Sequence, residues 1–189
     1  PYTFKKLELR SKVSSFAAKY LQVPLIYVNQ IGANDNLIFD GNSFILDKNG
    51  SKIKQLKSFS EDLSSWHIKQ TIPEKKEFEQ SEISSIFDAL VLGVRDYAQK
   101  CGFKTALIGL SGGIDSALVS AIATAALGSN NIYCVSMPSK WSSSHSKSDA
   151  KDLARRLKIN FNSIPIENLM NSFEESFIKT ISFEMAEIT

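Results

Sequence analysis

The chain has 189 residues, enough for one large domain or parts of two, and its 43% apolar share is ordinary for a globular protein. With 22 basic against 20 acidic residues, the net charge of +2 gives no footing for a nucleic-acid or anionic-membrane partner. No apolar run is long enough to span a bilayer and no secretory signal opens the sequence. Cys101 and Cys134 stand too far apart for a disulfide framework or a metal cluster, so a reducing cytoplasm is the expected compartment. The chain opens on Pro1 rather than Met, and it is read as a segment of a longer protein.

In chain order, a helix is expected from about Lys5 to Tyr20, with Leu9, Val13, Phe16, Ala17 and Tyr20 on its apolar face. Val23-Pro24 ends it, and Leu25–Val28 reads as a short strand buried on both faces. Gly32 to Asn36 reads as a turn. Leu37–Phe39 and Ser43–Leu46 flank Asp40-Gly41-Asn42 as a hairpin, and Lys52–Leu56 alternates like an edge strand with lysines outward. Residues 60–80 are rich in Ser, Lys, Glu and Gln, with Pro73 and the charge run Glu74–Glu77, and read as a linker pinned by Trp66 and Phe78. His67 reads there as a solvated loop residue.

A second domain is expected over 81–189. Ile83, Ile86, Phe87, Leu90, Val91, Val94 and Ala98 make one amphipathic face, between Ser81 as N-cap and Gly102 as stop. Ala106–Gly109 is of strand length, and Ala117–Leu127 is an alanine-rich helix closed by Gly128. Ile132–Met137 is a second buried strand, with Cys134 a small hydrophobe in it. Pro138 breaks that strand, and Ser139–Ser146 is a polar loop. Ser148–Leu157 is a helix, Phe161–Ile166 a third strand, and Glu167–Lys179 a helix with Leu169, Phe173 and Phe177 on one face. Alternating strands and helices imply an α/β fold with a doubly wound parallel sheet.

The chemistry sits between the first strand and helix of that domain, in Gly109-Leu110-Ser111-Gly112-Gly113-Ile114-Asp115-Ser116. A strand, a glycine-rich turn and a helix present backbone N–H groups to an anion at the carboxyl end of the sheet. Ser111 and Ser116 add hydroxyls. Asp115 suits a divalent cation held against phosphates, or the cap of the following helix. No Gly-Lys-Ser/Thr follows, and the glycines do not give G-x-G-x-x-G, so neither a Walker A loop nor a dinucleotide fingerprint is present.

Ser111 to Ser116 resembles the Ser-Gly-Gly-x-Asp-Ser loop of the ATP pyrophosphatases. Met137-Pro138-Ser139, with Ser142-Ser143 and Ser146-x-x-Asp149-Ala150, is similar to the segment after the second strand of NAD synthetases; Tyr97 and Gly102-Phe103 resemble the lead into their loop. Residues 1–59 resemble the C-terminal end of a nitrilase-like glutaminase domain of α/β/β/α type, through Pro1-Tyr2, Lys6, Arg10, Val23–Asn29, Asp35 and Phe39–Ser43. Together these imply the glutamine-dependent NAD synthetases, with an adenine-nucleotide α-hydrolase sheet in the second domain. The resemblance implies ATP and Mg²⁺ as cofactors, deamido-NAD and glutamine or ammonia as substrates, and a homo-oligomer. Gly109 to Ser116 and Met137 would bind ATP, Asp115 would hold the metal, and Lys6 matches a glutamine-binding position while also reading as a solvated helix-start lysine. His145 is open between a phosphate contact and a polar loop residue. The glutaminase Glu, Lys and Cys would lie upstream, so the segment alone is expected to be inactive. Open alternatives are another ATP pyrophosphatase amidotransferase or thiolating enzyme, and a module that binds ATP without cleaving it.

Overall fold

The computed structural model describes residues 1–68 and 81–181, without the side chains of 179–181. Pro73, the 74–77 charge run and Phe78 therefore lie outside the described residues. The chain divides into two compact units, Pro1–Phe103 and Lys104–Thr189.

In the first unit, helix α1 (Lys6–Leu21) stops where Gln22 turns left-handed ahead of Pro24. Its buried residues are Ser14 and Ala18, the latter packed on Phe44 and Leu46 with Leu25 and Tyr27 beside them. The expected core face is turned the other way. Phe16 is 71% and Tyr20 78% exposed, and Leu9 and Val13 are exposed as well. Small side chains let the helix axis approach the sheet closely, and the large apolar ones are left outside.

Three antiparallel strands form that sheet in the order β1 (Leu25–Tyr27), β4 (Phe44–Leu46), β5 (Lys52–Gln55). As an edge strand, β1 exposes Ile26 instead of burying both faces. β5 is an edge strand as expected, with Ile53 buried and Lys52 exposed, although Lys54 is half-buried. A separate hairpin pairs β2 (Ile31–Asn34) with β3 (Leu37–Asp40), and its turn is Asp35-Asn36. The expected turn at 32–36 thus contains most of a strand. The expected hairpin about Asp40-Gly41-Asn42 is a corner where the chain leaves one sheet for the other.

Gly41 (φ +65) and Asn42 (φ +53) make that corner, and Asp40 fixes it. The Asp40 carboxylate is 1% exposed and accepts from the Arg10 guanidinium at 2.7 and 3.2 Å, from Asn29 Nδ2 at 3.2 Å and from Asn42 Nδ2 at 3.0 Å. A two-pronged guanidinium and two amide donors satisfy a buried charge that would otherwise be very costly.

Helix α2 (Glu82–Cys101) begins at Ser81, whose hydroxyl accepts from Ser84 N–H at 3.2 Å, and ends at Gly102 (φ +74), as the sequence indicates. Of the expected single face Val91 and Ala98 are buried, but Ile83, Ile86, Leu90 and Val94 are exposed, while Ala89 and Leu92 pack with Phe59, Tyr2, Ile31 and Ile38, so α2 seats on the β2–β3 hairpin.

The second unit is a parallel sheet of β6 (Ala106–Gly109), β7 (Ile132–Ser136) and β8 (Asn160–Ser163), in that order. Helices α3 (Ile114–Leu127) and α4 (Ser144–Leu157) fill the crossovers on one face, where Leu110, Ala123, Ile132, Cys134, Ala150 and Ala154 form the core. Strand order rising in one direction puts both helices on the same side, which is one winding of a doubly wound sheet. Leu107 and Tyr133, neighbours in register, are exposed on the opposite face. Helix α5 (Glu167–Ile181) follows β8, with Leu169 and Phe173 exposed.

The Asp40 knot yields a stability prediction. Arg10→Met leaves a buried carboxylate with amide donors alone, and removing one partner of a buried pair costs about 3–5 kcal/mol. Denaturant unfolding of the full-length protein should show a loss near the lower end of that range, since Asn29 and Asn42 still donate. A loss under about 1 kcal/mol, the value of an exposed pair, would contradict the account.

Candidate nucleotide site

The site begins where β6 runs out. Leu110 continues the ladder by one residue, its N–H donating to Val135 O at 2.9 Å, and its side chain is 1% exposed within the core. The start of the loop is therefore anchored from below, with Leu110 on the floor of the cavity.

From Ser111 the chain turns on hydroxyls. Ser111 Oγ accepts from Gly113 N–H at 3.2 Å and lies 3.0 Å from Ser116 Oγ. Ser116 Oγ accepts from Ser111 N–H at 3.3 Å and donates to Gly113 O at 3.0 Å. One proton assignment satisfies all four contacts: Ser111 donates to Ser116, and Ser116 donates to Gly113. The serines thus brace the loop. Gly113 is the N-cap of α3 and has no side chain to cap it, so among the described residues no cap side chain accepts from the first-turn N–H groups at the positive end of the helix dipole.

Gly112 fixes the other wall. Its φ is +89, and a Cβ there would sit 2.2 Å from the carbonyl oxygen of Ser146 and 2.8 Å from Ser146 Cα. Only glycine lets the loop lie directly on the first turn of α4. That turn starts earlier than the sequence suggests, because Ser143 caps it by accepting from Ser146 N–H at 3.0 Å. Three of the eight residues of the expected 139–146 loop are therefore helix, and His145 stands exposed in its first turn. The remainder is tied by Ser139 N–H to Ser142 Oγ at 3.0 Å and Trp141 N–H to Ser139 Oγ at 3.2 Å.

Between β6, β7 and this turn lies a cavity of about 190 Å³, lined by Gly109, Leu110, Ser111, Val135, Ser136, Met137, Pro138, Ser142, Ser146 and Lys147. Of the sequence-derived residues it gathers Gly109, Leu110, Ser111 and Met137. A second hollow of about 260 Å³ lies between α3 and α4, with Gly112, Ala117, Asp149, Asp152, Leu153 and Arg156 on its walls. There, hydrogen bonds from Arg155 and Arg156 at 2.6 and 2.5 Å hold the Asp152 carboxyl below its usual range. Gly113, Ile114, Asp115 and Ser116 line neither hollow, and Ile114 and Asp115 are exposed in the first turn of α3. Lys6, in the other unit, is half-buried at the start of α1.

Ser142 and Ser146, which carry part of the resemblance in the sequence, had no place among the expected site residues, and neither had Lys147. The available signal was Ser143 three residues before Ser146, the spacing of a helix N-cap, which would have brought Lys147 into the first turn.

The NAD synthase family model matches residues 86–188. A glutamine-dependent NAD(+) synthetase of Synechocystis is 44% identical over 183 residues, 94% of this chain and 33% of that protein. The Rhodobacter capsulatus protein of the same description is 36% identical over 195 residues, covering 100% of this chain and 35% of the relative. The solved glutamine-dependent NAD+ synthetase of Acinetobacter baumannii in complex with ADP superimposes with a TM-score of 0.89 at 36% identity, covering 99% of this chain and 36% of that one. The chain spans about a third of the length of these relatives.

Two glycines separate the geometry from mere glycine content. Gly112→Ala forces a methyl into the Ser146 backbone at positive φ, and strain of about 1–3 kcal/mol corresponds to roughly 5- to 150-fold weaker nucleotide binding. A Cβ at Gly109 meets only Met137 Cε at 3.5 Å, an ordinary contact, so Gly109→Ala should cost much less. Calorimetric titration of the full-length protein with ATP checks the order, and equal losses would contradict it.

Proposed function

Because this chain belongs to the NAD synthase family, we propose that it is part of an enzyme converting deamido-NAD to NAD with ATP, taking nitrogen from glutamine or free ammonia and releasing AMP and pyrophosphate. The observation that carries the reading is the Ser111–Ser116 loop at the sheet's carboxyl end, backed onto the first turn of α4 through Gly112. Residues 1–59 are assigned to the glutaminase part, 60–80 to a linker and 81–189 to the synthetase part. We further assign the parent protein to the cytoplasm as a homo-oligomer; none of the described helices is long and apolar enough to cross a membrane.

In this reading Gly109, Leu110 and Met137 border the adenosine side of ATP, while Ser111 to Ser116 face its phosphates. A carboxylate oxygen of the nicotinic acid attacks the α-phosphorus, the bond to the β-phosphate oxygen breaks, and pyrophosphate leaves. Ammonia then attacks the adenylated carbonyl, and AMP departs with the former carboxylate oxygen. Negative charge grows on the leaving pyrophosphate, and donors fixed before the reaction stabilise it without reorganising. The uncapped N–H groups at the start of α3 supply such donors. Ser111 and Ser116 keep the turn from collapsing onto them. Lys147, on the wall of the cavity, adds a positive charge on the α4 side.

Among the described residues no three His, Cys, Asp or Glu side chains gather into a metal site. The residues still suit Mg²⁺, which is usually held by one or two carboxylates together with substrate phosphates. Asp115 in the first turn of α3 is the carboxylate placed for that, and the bound cation would neutralise phosphate charge there.

The parent protein, given ATP, Mg²⁺ and deamido-NAD, should make NAD from glutamine and from ammonia. Binding of ATP with no pyrophosphate release under either nitrogen source would instead favour a module that holds ATP intact. Asp115→Asn keeps size and capping ability and removes the charge. Pyrophosphate release should fall close to background with circular dichroism unchanged and should recover in part at high Mg²⁺; a wild-type rate would remove Asp115 from the metal. Lys6→Ala should raise the KM for glutamine by roughly tenfold or more, the equivalent of a charge-assisted bond, and leave the ammonia-supported rate alone. An unchanged KM would return Lys6 to the solvated surface.

A further inference from the structure

The family match begins at residue 86, inside α2, yet α2 packs on a hairpin that precedes the match entirely. The contact has a polar clamp as well as an apolar floor. In the β2–β3 ladder Ala33 stands opposite Ile38, one step from the Asn34–Leu37 pair that closes the turn. Alternate residues of an antiparallel pair point their N–H and C=O away from the partner strand, and Ala33 is one of these.

Both outward groups are taken by α2. Ala33 N–H donates to Asp96 Oδ2 at 2.7 Å, and the Lys100 ammonium donates to Ala33 O, with Asn34 Oδ1 a further acceptor at 3.4 Å. Asp96 and Lys100 are four residues apart, on one face of the helix, so an acceptor and a donor bracket a single strand residue. Gly32 (φ +130) leaves room for this, since a Cβ there would lie 3.2 Å from Asp96 Oδ2. Apolar packing of Ala89 and Leu92 is non-directional and tolerates sliding. A bracketed peptide does not, because a slip of one residue along β2 would present groups turned the other way.

We propose that Asp96 and Lys100 are positioning residues that fix the axial register of α2 on the β2–β3 hairpin and so tie glutamine use to NAD formation. Beyond α2 the chain runs through Gly102 directly into β6 and the phosphate loop, so the helix is the covalent lead into the synthetase chemistry while being held by the glutaminase part. The inference rests on the glutamine-dependent reading above. Loss of the clamp spares each half-reaction and loosens their coupling, so glutamine is hydrolysed without a matching yield of NAD.

The test uses the full-length protein with ATP and deamido-NAD, measuring glutamate formed per NAD formed, and separately the rate with saturating ammonium. Asp96→Ala and Lys100→Met should raise the glutamate-to-NAD ratio several-fold while the ammonium-supported rate stays near wild type. Asp96→Asn keeps an oxygen for Ala33 N–H and should restore most of the coupling. A ratio unchanged in either disruptive variant overturns the proposal. So does a parallel fall of glutamine- and ammonium-supported rates, which marks a purely structural role. If Asp96→Ala fails to fold, Lys100→Met decides by the same ratio. Wild-type protein that makes no NAD from either source removes the functional reading and this inference with it, an outcome distinct from normal wild-type turnover with unaltered variants.

Discussion

The second unit depends on one close approach, the Gly112 backbone lying on the Ser146 carbonyl. It joins the loop after β6 to the first turn of α4 and brings the starts of two helices to one end of a parallel sheet. Everything that could meet an anion there follows from it. The uncapped start of α3 is aimed by the loop, the cavity wall from Val135 to Lys147 is set by where α4 begins, and the Ser111–Ser116 bridge keeps the turn open. Backbone dipoles fixed by a glycine contact, with Lys147 as a cation beside them, suit the proposed reaction, whose difficulty is charge on a leaving pyrophosphate.

The first unit has a different anchor. Asp40 is buried where the chain crosses from the β2–β3 hairpin to the β1–β4–β5 sheet, and Arg10 on α1 reaches it. One carboxylate therefore holds a helix, a corner and two sheets in register. The hairpin so fixed is what α2 grips, which makes the Asp40 knot and the Ala33 clamp successive links along the same chain of contacts.

The sequence is most readable where local chemistry decides the outcome. The Ser81 cap, the Gly102 stop, the β6–loop–α3 sequence and the buried Cys134 all follow from single residues and short patterns, and the structure has them. It misleads where partners decide. Leu9, Val13, Phe16 and Tyr20 have helical periodicity and the bulk of a core, but α1 meets its sheet through Ser14 and Ala18 because close approach favours small side chains. Asp40-Gly41-Asn42 has hairpin-turn chemistry, yet the same residues serve a corner once Arg10 and Asn29, distant in sequence, claim the carboxylate. In the candidate site the loop's glycines and serines, with Ser142 and Ser146, stand out in the sequence, whereas Lys147 does not, because its place on the cavity wall depends on α4 beginning at Ser144 rather than Ser148.

On the proposed function, this loop serves attack on the α-phosphorus of ATP by a carboxylate. The most direct measurement follows one oxygen. The full-length protein is supplied with deamido-NAD labelled with ¹⁸O in the nicotinic acid carboxylate, together with ATP and ammonia, and the products are analysed by mass spectrometry. The expected products are NAD, unlabelled pyrophosphate, and AMP carrying one labelled oxygen on its phosphate. ADP with inorganic phosphate, or AMP without label, would contradict it.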